Sequence, residues 1–204
     1  MYLFVKRLLD ILISIIAITL LLPVFLFISF AILITSGLPV FYLQERVGKN
    51  WIIFKIIKFR TMINNADKIG HNISLLNDER ITLIGKYLRK SKLDELPQLI
   101  NVFIGDMSLV GPRPELLKFA NRYQSEYSEI LKIRPGISDY ASLIFINESK
   151  ILIDSNDPES FYIKEVLPQK LDLCMKYLHE MSLVIDIKIL FNTARGILYE
   201  VKKN

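Results

Sequence analysis

Apolar positions are distributed unevenly along the 204 residues. Between Asp10 and Glu45 there is no Asp, Glu, Lys or Arg, and Leu, Ile, Val and Phe dominate the stretch. A run this long predicts a membrane-inserted helix, since about 20 apolar residues suffice to cross the hydrocarbon core. A signal peptide has a shorter apolar region and a small-residue cleavage site, so this segment is expected to be retained. Pro23, near its middle, removes a backbone donor and crowds the preceding turn, which predicts a bend or break in the helix. Lys6 and Arg7 precede the run, and Arg46, Lys49, Lys55, Lys58 and Arg60 follow it. Basic flanks at both ends favour a re-entrant segment over residues 1–38 with both ends cytoplasmic, rather than a spanning helix.

Beyond Gly37 and Pro39 the apolar runs shorten. Residues 40–43 and 51–57, separated by the turn residues 47–50, read as a β-hairpin. Residues 64–77 are polar and aperiodic and read as a mobile loop or short helix. Helical spacing returns over 80–90, and amphipathic helices are predicted over 114–132, 161–179 and 182–202, the second preceded by a polar linker at 155–158. Phe119, Tyr123 and Tyr127 recur every four residues and define a stripe that suits a core or a membrane headgroup layer. The pattern predicts an α+β, mainly helical chain: a membrane-inserted segment 1–38 and a catalytic domain 39–204 with a small β-hairpin and amphipathic interfacial helices.

Composition narrows the class. Half the residues are apolar (51%), which excludes a disordered or collagen-like chain. Lys and Arg outnumber Asp and Glu by 26 to 21, a net charge of +5 that suits an anionic partner without choosing one. The lone Cys174 excludes an intrachain disulfide framework, and His71 and His179 have no nearby Cys, so a zinc-type cluster has no support.

Candidate chemistry concentrates in Leu93-Asp94-Glu95-Leu96-Pro97-Gln98 and in Gly111-Pro112-Arg113-Pro114. Pro97 suits the first turn of a helix, which places Asp94 at or just before that helix's N-terminus, where the dipole favours an ionised carboxylate. An ionised Asp can attack phosphorus, and an adjacent carboxylate can hold the Mg²⁺ that offsets phosphate charge. An Asp there is also an ordinary cap, so spacing alone leaves both readings open. Pro112 and Pro114 stiffen the backbone around Arg113 and would present its guanidinium fork to a phosphate, or to a salt-bridge partner.

These motifs, together with Lys6-Arg7 and Asp10, Arg46 with Gly48, Lys58-Phe59-Arg60-Thr61-Met62, Gly105-Asp106-Met107-Ser108 and Arg134-Pro135-Gly136-Ile137, resemble the bacterial sugar transferase family. Its members are monotopic phosphoglycosyl transferases that initiate glycan assembly on a polyprenol phosphate. The match runs in the same order from Lys6 to about Leu190. The resemblance implies that Asp94 attacks the β-phosphorus of a UDP-sugar, releases UMP and carries the phosphosugar, which undecaprenyl phosphate then takes. It further implies Mg²⁺ at Glu95, a phosphate anchor at Arg113 beside Pro112, and weaker phosphate roles for Arg60, Arg89 and Arg134. Implied partners are the UDP-sugar, undecaprenyl phosphate, membrane lipids and a second copy of the chain in a homodimer, with no nucleic acid. The implied location is the cytoplasmic face of the bacterial inner membrane. In two places the chain departs from the family pattern: Leu22 stands before Pro23 where a Ser is common, and Ser138-Asp139-Tyr140-Ala141-Ser142 replaces a Thr-Gly run, so no donor sugar is carried over. Competing readings are a glycosyltransferase that releases UDP and a non-catalytic membrane-anchored partner of a glycan pathway.

Overall fold

In a computed structural model the chain is described over residues 1–66, 78–145 and 157–203. The apolar run folds into α1 (Tyr2–Ser36), a helix of 35 residues. At about 1.5 Å per residue it is roughly 50 Å long, well beyond the thickness of a hydrocarbon core. Pro23 lies inside it, and the helix is not interrupted there. Of the expected bend or break at Pro23, an interruption of the helix does not occur. A proline costs only one intrahelical hydrogen bond, and the turns on either side remain intact. One face of α1 buries Lys6, Asp10, Ser14, Phe25, Ile28 and Ile32, a helical stripe that follows the domain from end to end. The opposite face exposes Leu12, Ile16, Leu20, Phe27, Phe30 and Ile34.

The hairpin forms as read but is longer. Strands β1 (Phe41–Val47) and β2 (Ile53–Phe59) pair antiparallel, with Phe41 opposite Phe59 and Val47 opposite Ile53. On β2, Phe54 and Ile56 face the core, and Phe59 is buried between Phe25 of α1, tilted against it at a ring-centroid distance of 5.5 Å, and Phe41, stacked on it at 5.4 Å. Of the expected loop at 64–77, residues 67–77 lie outside the described residues. The next helix, α2 (Leu83–Lys90), begins where Thr82 accepts a hydrogen bond from the Gly85 amide, a side-chain cap.

The chain then enters α3 (Gln98–Ile104) and β3 (Ser108–Val110), followed by α4 (Leu117–Ala120), α5 (Gln124–Ile130), β4 (Gly136–Ser138) and α6 (Tyr140–Ile144). The predicted helix over 114–132 is thus divided. Residues 121–123 form a tighter turn, and Tyr123 leaves helical geometry at φ −128°, ψ 53° while its hydroxyl donates to the Ile163 carbonyl. Phe119 and Tyr127 are buried, which settles that stripe as core. The parallel pairing of β3 with β4 has no counterpart in the sequence reading. Helix α7 (Pro158–Phe161) is capped by Asp157 and passes through a wider turn at Tyr162–Val166 into α8 (Leu167–Glu180); α9 (Leu183–Lys203) follows. Val184, Ile187 and Phe191 on α9 are exposed at helical spacing, next to the uncovered face of α1 in chemical character.

Both ends of α1 are tied to the same domain. At its start, the Lys6 ammonium meets Asp186 of α9 at 2.7 Å, and the Tyr2 and Tyr177 hydroxyls donate to the same carboxylate. The Arg7 guanidinium donates to the Val102 and Phe103 carbonyls at the end of α3, and the Leu109 amide donates to Asp10. At the other end, Arg60 donates to the carbonyls of Ser36 and Gly37 at 2.6 and 2.7 Å.

Candidate active site

Asp94 occupies a tight helical turn (Leu93–Glu95) that opens from Lys92, a residue in the left-handed region at φ 57°. Leu96 and Pro97 keep right-handed backbone angles and form the turn that leads into α3. Asp94 is buried, and its Oδ1 has no hydrogen-bond partner among the described residues. Burial pushes its carboxyl up, and the neighbouring Glu95 charge adds to this, against the pull of Lys58, Lys92 and Arg89. This differs from the expected depression by a helix dipole: α3 starts only after Pro97, and enclosure outweighs it.

Glu95 has the opposite environment. Its Oε1 accepts from Lys58 Nζ at 3.0 Å and from Arg113 Nη2 at 2.5 Å, and Oε2 accepts from Arg113 Nη1 at 3.3 Å. Burial alone would raise its carboxyl, but Arg113 and Lys58 hold it well below the usual carboxylate range. Burial lowers the Lys58 ammonium, with Glu95 opposing. Among the charges acting on Asp94 is also Arg89, whose Nε donates to Thr61 Oγ1 at 2.8 Å.

The scaffold explains why separated motifs meet. Asn101 of α3 is fully buried, accepts from the Ile57 amide and donates to the Lys55 carbonyl. It thereby locks β2 beside α3 and delivers Lys58 to Glu95. Arg113 is set by the β3–β4 pair: Gly111 donates to the Ser138 carbonyl, Gly136 donates to the Pro112 carbonyl, and Arg113 N donates to Asp139 Oδ2. A Cβ on Gly111 would sit 2.6 Å from the Arg134 carbonyl oxygen, and one on Gly136 would run into Gly111 N, so the two glycine motifs close on each other. Asp139 also caps α6 through Ser142, so the stretch that departs from the family pattern serves to hold Arg113. On the other side, Arg46 bonds the Pro114 carbonyl and the Glu115 carboxylate, which also accepts from Tyr162.

Asp94, Glu95, Arg113 and Arg89 are therefore gathered at one place, with Pro112 as a backbone support. Arg60 and Arg134 are seated elsewhere: Arg60 at the end of α1, also bonded to Asn64, and Arg134 at the end of α3 through the Gly105 carbonyl. Lys58 was not singled out from sequence, although β2 gave the signal: it shares the alternating register of the inward Phe54 and Ile56, an unusual place for lysine.

The chain resembles known proteins over nearly all its length. The sequence profile of the bacterial sugar transferase family matches residues 1–200. A UDP-N-acetylgalactosamine-undecaprenyl-phosphate N-acetylgalactosaminephosphotransferase of Aeromonas hydrophila is 39% identical over 97% of this chain and 44% of its own length. A UDP-glucose:undecaprenyl-phosphate glucose-1-phosphate transferase of Klebsiella pneumoniae is 35% identical over 92% of this chain and 39% of its own. An uncharacterized sugar transferase, EpsL, of Bacillus subtilis is 34% identical over 95% of this chain and 87% of its own. The chain thus spans less than half the length of the first two relatives.

Proposed function

The chain belongs to the bacterial sugar transferase family, and from that premise we propose that it transfers a sugar-1-phosphate from a UDP-sugar to undecaprenyl phosphate and releases UMP. The observation that carries this reading is the buried Asp94 carboxylate, unpartnered at Oδ1, beside a Glu95 already clamped by Arg113 and Lys58. A structural cap would spend its oxygens on backbone amides. This one makes no such cap and leaves the carboxylate available to attack phosphorus. In the first half-reaction Asp94 attacks the β-phosphorus, the bond to the UMP oxygen breaks, and the phosphosugar stays on the carboxylate. In the second, the lipid phosphate oxygen attacks the same phosphorus and frees Asp94. Arg113 and Lys58 supply fixed positive charge where the transferring phosphoryl develops negative charge.

The oxygen donors of Asp94 and Glu95 fit Mg²⁺, which is commonly held by one or two carboxylates together with substrate phosphates. Glu95 would hold it through Oε2, the oxygen with only the longer 3.3 Å bond. Bound there, the ion would neutralise charge on the two donor phosphates. For the topology we propose that α1, fastened at both ends to one domain and turned back by a bend at Pro23, enters and leaves the membrane on the same face, with its apolar face in lipid and the exposed side of α9 at the interface. We place that face towards the cytoplasm, where the donor is made. Incubation of the protein with a panel of UDP-sugars, Mg²⁺ and undecaprenyl phosphate tests the function. One donor should yield UMP and a lipid-linked diphosphate sugar; UDP as the released nucleotide would establish a glycosyltransferase instead.

A further inference from the structure

Gln98 is a second polar side chain sealed inside the site. It is 1% exposed, and its Nε2 has no hydrogen-bond partner among the described residues. Asn101, three residues along the same helix and equally buried, spends its amide on Lys55 and its carbonyl on Ile57. The contrast is informative, since a buried amide group without a partner is costly and is ordinarily paired or replaced. Asp94 lies in the tight turn Leu93–Glu95 and Gln98 opens α3 four residues on, so the two buried side chains sit on successive turns of right-handed backbone. Asp94 Oδ1 lacks an acceptor's partner and Gln98 Nε2 lacks a donor's partner, both in the interior.

We propose that Gln98 is a positioning residue for the nucleophile: its side-chain amide donates to Asp94 Oδ1 when the donor substrate engages, and so presents Oδ2 to the phosphorus. The inference rests on the role of Asp94 set out above. In the step concerned, Asp94 Oδ2 forms the bond to the β-phosphorus and the UMP oxygen leaves with the bonding electron pair. Gln98 transfers no proton. It holds the carboxylate in one rotamer, a function that needs the amide N–H and not merely the volume.

The test compares wild type with Gln98→Met, similar in volume but without a donor, using the UDP-sugar that wild type turns over in the panel. Since Nε2 is unpaired in the resting protein, Gln98→Met should melt at or above the wild-type temperature. Its UMP burst before lipid is added should slow at least tenfold, with the KM for the donor within twofold of wild type. A burst at the wild-type rate in folded Gln98→Met overturns the inference. So does a melting temperature several degrees lower, which would give the amide a structural role; if Gln98→Met does not fold, Gln98→Leu is measured in the same way, and failure of both has the same meaning. A wild-type protein inactive with every donor refutes the underlying function and leaves this inference without its premise, a result distinguishable because it appears before any variant is made.

Discussion

Arg113 reaches Glu95 with both terminal nitrogens, a bidentate arrangement that a lysine cannot reproduce. Arg113→Lys keeps the charge but loses the fork, and should weaken UMP binding by about 1–3 kcal/mol, as for a hydrogen bond to a charged group. Titration of UMP by calorimetry measures it directly; unchanged affinity would reduce Arg113 to a salt-bridge partner of Glu95. Glu95→Gln is nearly isosteric but leaves Lys58 and Arg113 without a compensating charge and removes the anionic oxygen for Mg²⁺. It should lose most turnover, as should wild type in EDTA, and full activity in either case would contradict the metal role. At this scale the sequence was informative where chemistry is written as a motif: Asp94, Glu95 and Arg113 were recognisable. Lys58 and Gln98 were not, because a lysine near an aromatic and a glutamine after a proline look like surface residues until the fold buries them. Arg60 and Arg134 were read as phosphate ligands; in the fold Arg60 bonds Asn64 and the carbonyls at the end of α1, and Arg134 Nε bonds the Gly105 carbonyl at the end of α3.

Elements succeed or fail as readings according to their length. The long apolar helix, the hairpin, α2 and α9 carry several periods of their own pattern and were legible. The β3–β4 pair has three residues on each strand, too few for any periodicity, and depends on a backbone approach that only two glycines permit. The segment 114–132 has helical spacing, yet contacts of Tyr123 and burial of Phe119 and Tyr127 divide it, packing overriding local pattern. The close approach makes a sharp prediction. Gly136→Ala must separate β3 from β4, and at about 3 kcal/mol or more of overpacking strain it should lower the melting temperature by roughly 6–12 °C. A melting curve superimposable on wild type would show that the strands can part freely. Asn101→Ala should cost about 2–5 kcal/mol in denaturant unfolding, because the Ile57 amide and Lys55 carbonyl are left without partners. If its stability matches wild type, the register of β2 is held by something other than Asn101.

In the proposed reaction the whole molecule brings a water-soluble donor and a lipid acceptor to one carboxylate, and its anchoring on α1 is the part of the design that topology can test. With Lys6 and Arg60 fastening opposite ends of α1 to one domain, cysteines placed at Leu3 and Leu38, both exposed, should be closed to a membrane-impermeant thiol reagent in intact cells and open after permeabilisation. Labelling of Leu3→Cys in intact cells would make α1 a spanning helix. The central claim, however, is chemical: the buried Asp94 becomes covalently phosphorylated before any lipid binds. The direct measurement uses UDP-sugar labelled with ³²P at the β-phosphate, Mg²⁺ and no acceptor. The covalent route predicts a burst of UMP no larger than the enzyme concentration and label on a peptide containing Asp94, both abolished in Asp94→Asn, whose neutral amide is a poor nucleophile. An enzyme that shows neither burst nor labelled peptide, yet turns over once undecaprenyl phosphate is supplied, would contradict it.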